Sequence, residues 1–220
     1  GKTLGIIGLG HIGKAVARRA RGFDMPMLAA TPRPDQAFAR AHGIEIVSLD
    51  ELLRRSDFVS LHVRLANETK GIISKRELNL MKPSAFLVNA ARDQLVDEPA
   101  LTEALLKNRI AGAACDDPPA QPDSPLLKLP NFVCTPHLGN RAIEGMNAVF
   151  RLAMENALAV LEGQRPQHVV NPEVYQRTNL RSKVGQASCL SKAGQASRLT
   201  SLQTIDRQDA CPTLYENHGH

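Results

Sequence analysis

The chain has no tryptophan, and two tyrosines with six phenylalanines bring aromatics to only 4% of its 220 residues. Proteins that bind unpaired nucleic-acid strands interleave aromatic with basic side chains, and no such stripe occurs here. No apolar run approaches the ~20 residues that span a bilayer. Nucleic-acid and membrane partners are therefore both set aside. Cysteine is scarce as well: Cys115, Cys134, Cys189 and Cys211 have no close paired spacing of the kind that binds zinc or marks a redox motif. Cys115 and Cys134 lie inside apolar runs and read as buried free thiols. The opening Gly1-Lys2-Thr3 leads straight into a strand-like run, without the pattern of a secretory signal. These features lead to the expectation of a cytoplasmic protein without a metal.

The net charge of +5 and the pI near 9.2 are not spread over the chain. Residues 176–220 hold six Lys and Arg against three Asp and Glu, so the tail contributes +3 of the +5. That tail contains a tandem duplication, Ser182–Leu190 (SKVGQASCL) followed by Ser191–Leu199 (SKAGQASRL). Two copies are too few for a solenoid and neither has a useful apolar face. The expected organisation is a dinucleotide-binding domain over 1–140, a C-terminal helix and remnant over 141–175, and a low-complexity, disordered tail over 176–220.

From Thr3 to Cys134, short apolar runs alternate with helical patterns. The runs are Leu4–Gly8, Met27–Ala30, Phe58–Leu61, Ala85–Val88, Ile110–Ala114 and Phe132–Cys134. Their lack of polar alternation is that of strands buried on both faces. Helices are expected over His11–Phe23, Asp35–Ala41, Leu49–Arg55, Lys75–Leu80, Glu98–Lys107 and Ala142–Leu161. Strands separated by helices build βαβ units, so the fold class is α/β: a Rossmann-like, doubly wound parallel sheet with helices on both faces.

Gly8-Leu9-Gly10-His11-Ile12-Gly13 is a G-x-G-x-x-G between a buried strand and an amphipathic helix. Gly8 permits a tight turn, Gly10 lets the backbone approach a pyrophosphate, and Gly13 lets the helix pack on the strand. The helix start, with the His11 and Ile12 backbone, then offers free N–H groups and a positive dipole end to the phosphates. An NAD-specific site places an acidic residue at the end of the second strand, on the ribose 2′-OH. Thr31 stands there, two residues before Arg33. A missing carboxylate removes repulsion toward a 2′-phosphate, and Arg33 offers that phosphate a charge-assisted bond. The cofactor is expected to be NAD(P), with NADP favoured over NAD.

Four stretches extend the pattern: GKTLGIIGLGHIG, SLDELLRRSDFVSLHV, ETKGIISKRELNLMKPSAFLVNAARDQLVDEPAL and LPNFVCTPHLG. Through them residues 1–174 resemble the cofactor domain of the D-isomer-specific 2-hydroxyacid dehydrogenases. The resemblance implies an NAD(P)-dependent oxidoreductase interconverting a 2-keto acid and a D-2-hydroxy acid. In that family an N-terminal segment ahead of the glycine loop builds most of the substrate domain, so that segment is expected to be missing here.

Residue by residue, the resemblance implies that Arg92, in Asn89-Ala90-Ala91-Arg92, clamps and polarises the substrate. It implies that His137, in Thr135-Pro136-His137-Leu138-Gly139, is the general acid and base. Asp116 is expected on the nicotinamide side, with further cofactor contacts from Val63, Ala90, Ala91, Arg92, His137 and Gly139. Two positions depart from the family pattern. Asp93 replaces a glycine and is placed to compete for Arg92. Gln121 replaces the glutamate that pairs with the histidine, so it can orient His137 but not stabilise its charge.

Three alternatives follow. The first is the NAD(P)-dependent oxidoreductase itself, which an in-frame substrate segment ahead of Gly1 would favour. Another is a non-catalytic dinucleotide-binding fragment. The third is a formate-dehydrogenase-like hydride transfer, which uses a Gln–His pair and needs no acid or base. The helix from Ala142 is expected to mediate a homodimer.

Overall fold

A computed structural model describes residues 1–119 and 121–176; the expected disordered tail lies almost wholly outside the described residues. Seven strands form one sheet: β1 (Leu4–Ile7), β2 (Met27–Ala30), β3 (Ile44–Ile46), β4 (Phe58–Leu61), β5 (Phe86–Asn89), β6 (Gly112–Cys115) and β7 (Phe132–Cys134). Every neighbouring pair is parallel, in the order β3-β2-β1-β4-β5-β6-β7. The chain winds outward from β1 in both directions, the doubly wound order that opens a crevice beside β1.

The helices are α1 (His11–Ala20), α2 (Gln36–Ala41), α3 (Leu49–Arg55), α4 (Lys75–Leu80), α5 (Glu98–Leu106) and α6 (Ile143–Leu161). Two apolar clusters cover the two faces of the sheet. Ala17 and Ala20 of α1 and Ala39 of α2 pack with Leu4, Ile6, Met27 and Ala29. Leu52 and Leu53 of α3, Leu78 of α4 and Leu101 and Leu105 of α5 pack with Leu28, Val59, Leu61 and Leu87. Central strands therefore bury both faces, which is why their sequences are continuously apolar. Truncating Leu53, fully buried, to alanine costs about 2–5 kcal/mol.

Several expected bounds shift. The helix read as His11–Phe23 ends at Ala20 and continues as a 3₁₀ turn over Arg21–Phe23. The strands read as Ala85–Val88 and Ile110–Ala114 begin one and two residues later, where pairing starts at Phe58↔Phe86 and Phe86↔Gly112. The edge strand β3 was not expected. Cys115 and Cys134 are free but half-buried rather than buried, because they sit at the ends of their strands where the loops open.

The described chain divides into a compact unit, Gly1–Arg141, and a second unit beginning at Ala142. Within the second, α6 carries Ile143, Met146, Phe150, Met154, Leu158 and Leu161 at spacings of three and four, all exposed. Among the described residues no helix is long and apolar enough to cross a membrane.

Candidate active site

The site residues follow the C-terminal ends of β1, β4, β5, β6 and β7, where doubly wound sheets bind ligands. Gly8 leaves β1 with φ +94°, and a Cβ there would lie 2.7 Å from the carbonyl oxygen of His62. A Cβ on Gly13 would run into the Gly8 carbonyl. Gly10 differs: a Cβ there meets nothing within 4 Å among the described residues, which leaves the loop's outer side open.

Helix starts in this unit show a related contrast. Asp35, Ser48 and Asp97 accept N–H bonds at the starts of α2, α3 and α5, and Glu77 returns to the Ser74 N–H ahead of α4 (3.1 Å). At α1 the capping residue is Gly10, with no side chain and no acidic residue in the first turn. Its leading N–H groups are left for an anion, as the pyrophosphate of a dinucleotide requires.

Beside this loop lies a cleft of about 520 Å³ lined by His11, Ile12, His62, Val63, Arg64, Leu65, Ala90, Ala91 and Arg92. Six of these were expected at the cofactor. His62, Arg64 and Leu65 were not singled out; their signal is only their place at the end of β4. His62 bonds Ser60 (2.8 Å) through Nε2, and its buried Nδ1 has no partner among the described residues. Burial pushes its ring below the ordinary value of 6.5. Thr31 is partly buried at the end of β2 and Arg33 is exposed.

Asn89 shapes the Arg92 loop. Its buried side chain donates to the Arg92 carbonyl (2.6 Å) and accepts from the Ala91 N–H (3.1 Å). Arg92 is exposed, and its guanidinium bonds only the Ala91 carbonyl among the described residues (2.6 Å). Asp93 instead accepts from the Gln94 N–H (2.7 Å), so the expected competition for Arg92 does not take place.

His137 has φ +55°, a left-handed backbone that a non-glycine residue keeps only when its surroundings hold it. Asp116 does the holding. It accepts from the Thr135 hydroxyl (2.5 Å), the Leu138 N–H (2.8 Å) and the Gly139 N–H (2.8 Å). These bonds, the Thr135 hydroxyl foremost, keep its carboxyl below the usual range. The His137 ring meets Asp117, Nδ1 to Oδ1 at 3.1 Å. Gln121 is exposed, and its side chain bonds none of the described residues. The Gln–His pair that a formate-type reaction would use is thus not formed.

A parallel doubly wound sheet with an uncapped, glycine-cradled helix start at its switch point defines a dinucleotide-binding domain. The family model for the D-isomer specific 2-hydroxyacid dehydrogenase NAD binding domain matches residues 1–139. A glyoxylate reductase of Korarchaeum cryptofilum is 45% identical over 177 residues, 79% of this chain and 53% of its own length. Among solved structures, the NAD complex of a D-isomer specific 2-hydroxyacid dehydrogenase from Lactobacillus delbrueckii has a TM-score of 0.72 at 31% identity, over 77% of this chain and 56% of its own. An acyclic imino acid reductase in complex with NADPH and D-Arg has a TM-score of 0.69 at 34% identity, over 77% and 54%. The chain belongs to the D-isomer specific 2-hydroxyacid dehydrogenase family, through its NAD-binding domain. It spans about half the length of the curated relatives it matches.

Proposed function

We propose that the protein is an oxidoreductase that interconverts a 2-keto acid and a D-2-hydroxy acid with a nicotinamide dinucleotide. The observation that carries this reading is the cleft that joins the glycine loop to Arg92. The uncapped α1 start and the open side of Gly10 fit a pyrophosphate, while Val63, Ala90 and Ala91 line the path toward Arg92. Bound there, the cofactor supplies or accepts the hydride. Arg92, whose guanidinium meets no carboxylate among the described residues, grips the substrate carboxylate and polarises the neighbouring carbonyl. His137 gives the proton to the forming alkoxide during reduction and takes it back during oxidation. Asp116 keeps the His137 turn in place for that transfer.

NADP is favoured over NAD because Thr31 presents no carboxylate to the ribose and the exposed Arg33 follows it. The relatives leave both open: one solved neighbour holds NAD and another NADPH. The exposed apolar stripe of α6 supports pairing with a second copy of the chain.

Turnover of a panel of 2-keto acids, glyoxylate included, tests the reading through loss of dihydronicotinamide absorbance. Arg92→Ala and His137→Ala are expected to abolish turnover while dinucleotide binding persists. Turnover that survives both substitutions would overturn the assignment.

A further inference from the structure

We propose that Asp117 is the positioning carboxylate of His137, filling the part that Gln121 leaves vacant; the inference rests on the oxidoreductase reading above. The two residues after β6 divide the work on one turn. Asp116 uses both oxygens on Thr135, Leu138 and Gly139, and so fixes the backbone around His137. Asp117 takes the ring itself, Oδ1 to Nδ1 at 3.1 Å. Its other oxygen, Oδ2, accepts from the Asp93 N–H at 3.1 Å. The Cys115 thiol donates to the Asp117 carbonyl and holds the backbone at that point. One carboxylate therefore ties the loop after β5, which carries Arg92, to the loop after β7, which carries His137.

That bridge separates Asp117 from an incidental surface pair, which contributes little. Its side chain is 23% exposed against 47% for His137, and both of its oxygens are engaged. The consequence for the ring is chemical. An ionised carboxylate can only accept, so the bond requires a proton on Nδ1. The neutral ring is then held as the Nδ1–H tautomer with its lone pair on Nε2, and the charged ring presents its transferable proton at Nε2. Nε2 is the nitrogen left for substrate.

The test is the tautomer of His137, read from the ring ¹⁵N resonances of the full chain by long-range ¹H–¹⁵N correlation, above the pH at which the ring is charged. The wild-type ring is expected to be mainly Nδ1–H. Asp117→Ala shifts the ratio toward Nε2–H by about fivefold, the effect of losing a partly exposed hydrogen bond to a charged group. Asp117→Asn retains the Nδ1–H form, because its amide oxygen still accepts, and Gln121→Ala leaves the ratio unchanged. The Asp93 amide resonance moves in Asp117→Ala, and unshifted amides elsewhere show that the fold is kept. An unchanged ratio in Asp117→Ala, or a shift on Gln121→Ala, overturns the assignment. NADH titration of the same samples separates this outcome from failure of the oxidoreductase reading: binding that persists while the tautomer is indifferent to Asp117 refutes the positioning role alone.

Discussion

Replacing Gly10 and Gly8 by alanine, one at a time, separates cofactor binding from folding. At Gly10, φ is −79° and an added Cβ meets nothing within 4 Å among the described residues. Gly10→Ala therefore changes stability by no more than ~0.5 kcal/mol. On the proposed reading, the new methyl group stands where a pyrophosphate approaches the α1 amides. Losing one hydrogen bond to a charged group there removes about 1.5–3 kcal/mol, which weakens NADH binding about 10- to 150-fold. At Gly8 the positions reverse. Its φ is +94°, and a Cβ would lie 2.7 Å from the His62 oxygen and 2.8 Å from Val63 Cγ1. Backbone strain and overpacking together cost about 2–5 kcal/mol. At about 4 °C per kcal/mol for a domain of this size, Gly8→Ala lowers Tm by about 8–20 °C. Thermal melts followed by circular dichroism, with NADH titration of each variant, give both readings. Equal Tm losses in the two variants, or wild-type NADH affinity in Gly10→Ala, would refute the argument.

Other outcomes follow from the same geometry. Burial holds the folded His62 ring below its ordinary 6.5, so its contribution to stability is complete above pH 6.5 and is lost as pH falls through the lower folded value. Tm curves of wild type and His62→Gln should converge over that range, and parallel curves would contradict it. Arg33→Ala is expected to weaken NADPH about tenfold and leave NADH unchanged; equal effects on the two titrations would remove Arg33 from the 2′-phosphate. Phe150→Glu, at the middle of the α6 stripe, is expected to turn a dimer into a monomer in light scattering. A wild-type chain already monomeric would remove that interface.

Six strands were legible because each is a short apolar run without polar alternation, the mark of burial on both faces. β3 escaped because Ile44-Glu45-Ile46 alternates over three residues at the sheet edge, where Glu45 turns outward to Arg55 (2.6 and 2.9 Å). The glycine loop could be read from spacing: Gly8 and Gly13 answer steric demands inside the fold, and Gly10 leaves the outer side of the loop open. The partner of His137 could not. Asp116 and Asp117 are adjacent in sequence, and only the path of the chain beyond β6 decides which carboxylate meets the turn and which meets the ring. Asn89 was hidden for a similar reason: a polar residue ending an apolar strand becomes a loop organiser only once Ala91 and Arg92 curl back over it.

Fluorescence titration of the purified chain with NADH and with NADPH tests the central claim most directly, since without tryptophan the dihydronicotinamide emission is free of indole background. Saturable enhancement with both, tighter for NADPH and weakened by Gly10→Ala, is the predicted result. Absence of saturable binding to either would contradict a working dinucleotide site, and the oxidoreductase reading would fall with it.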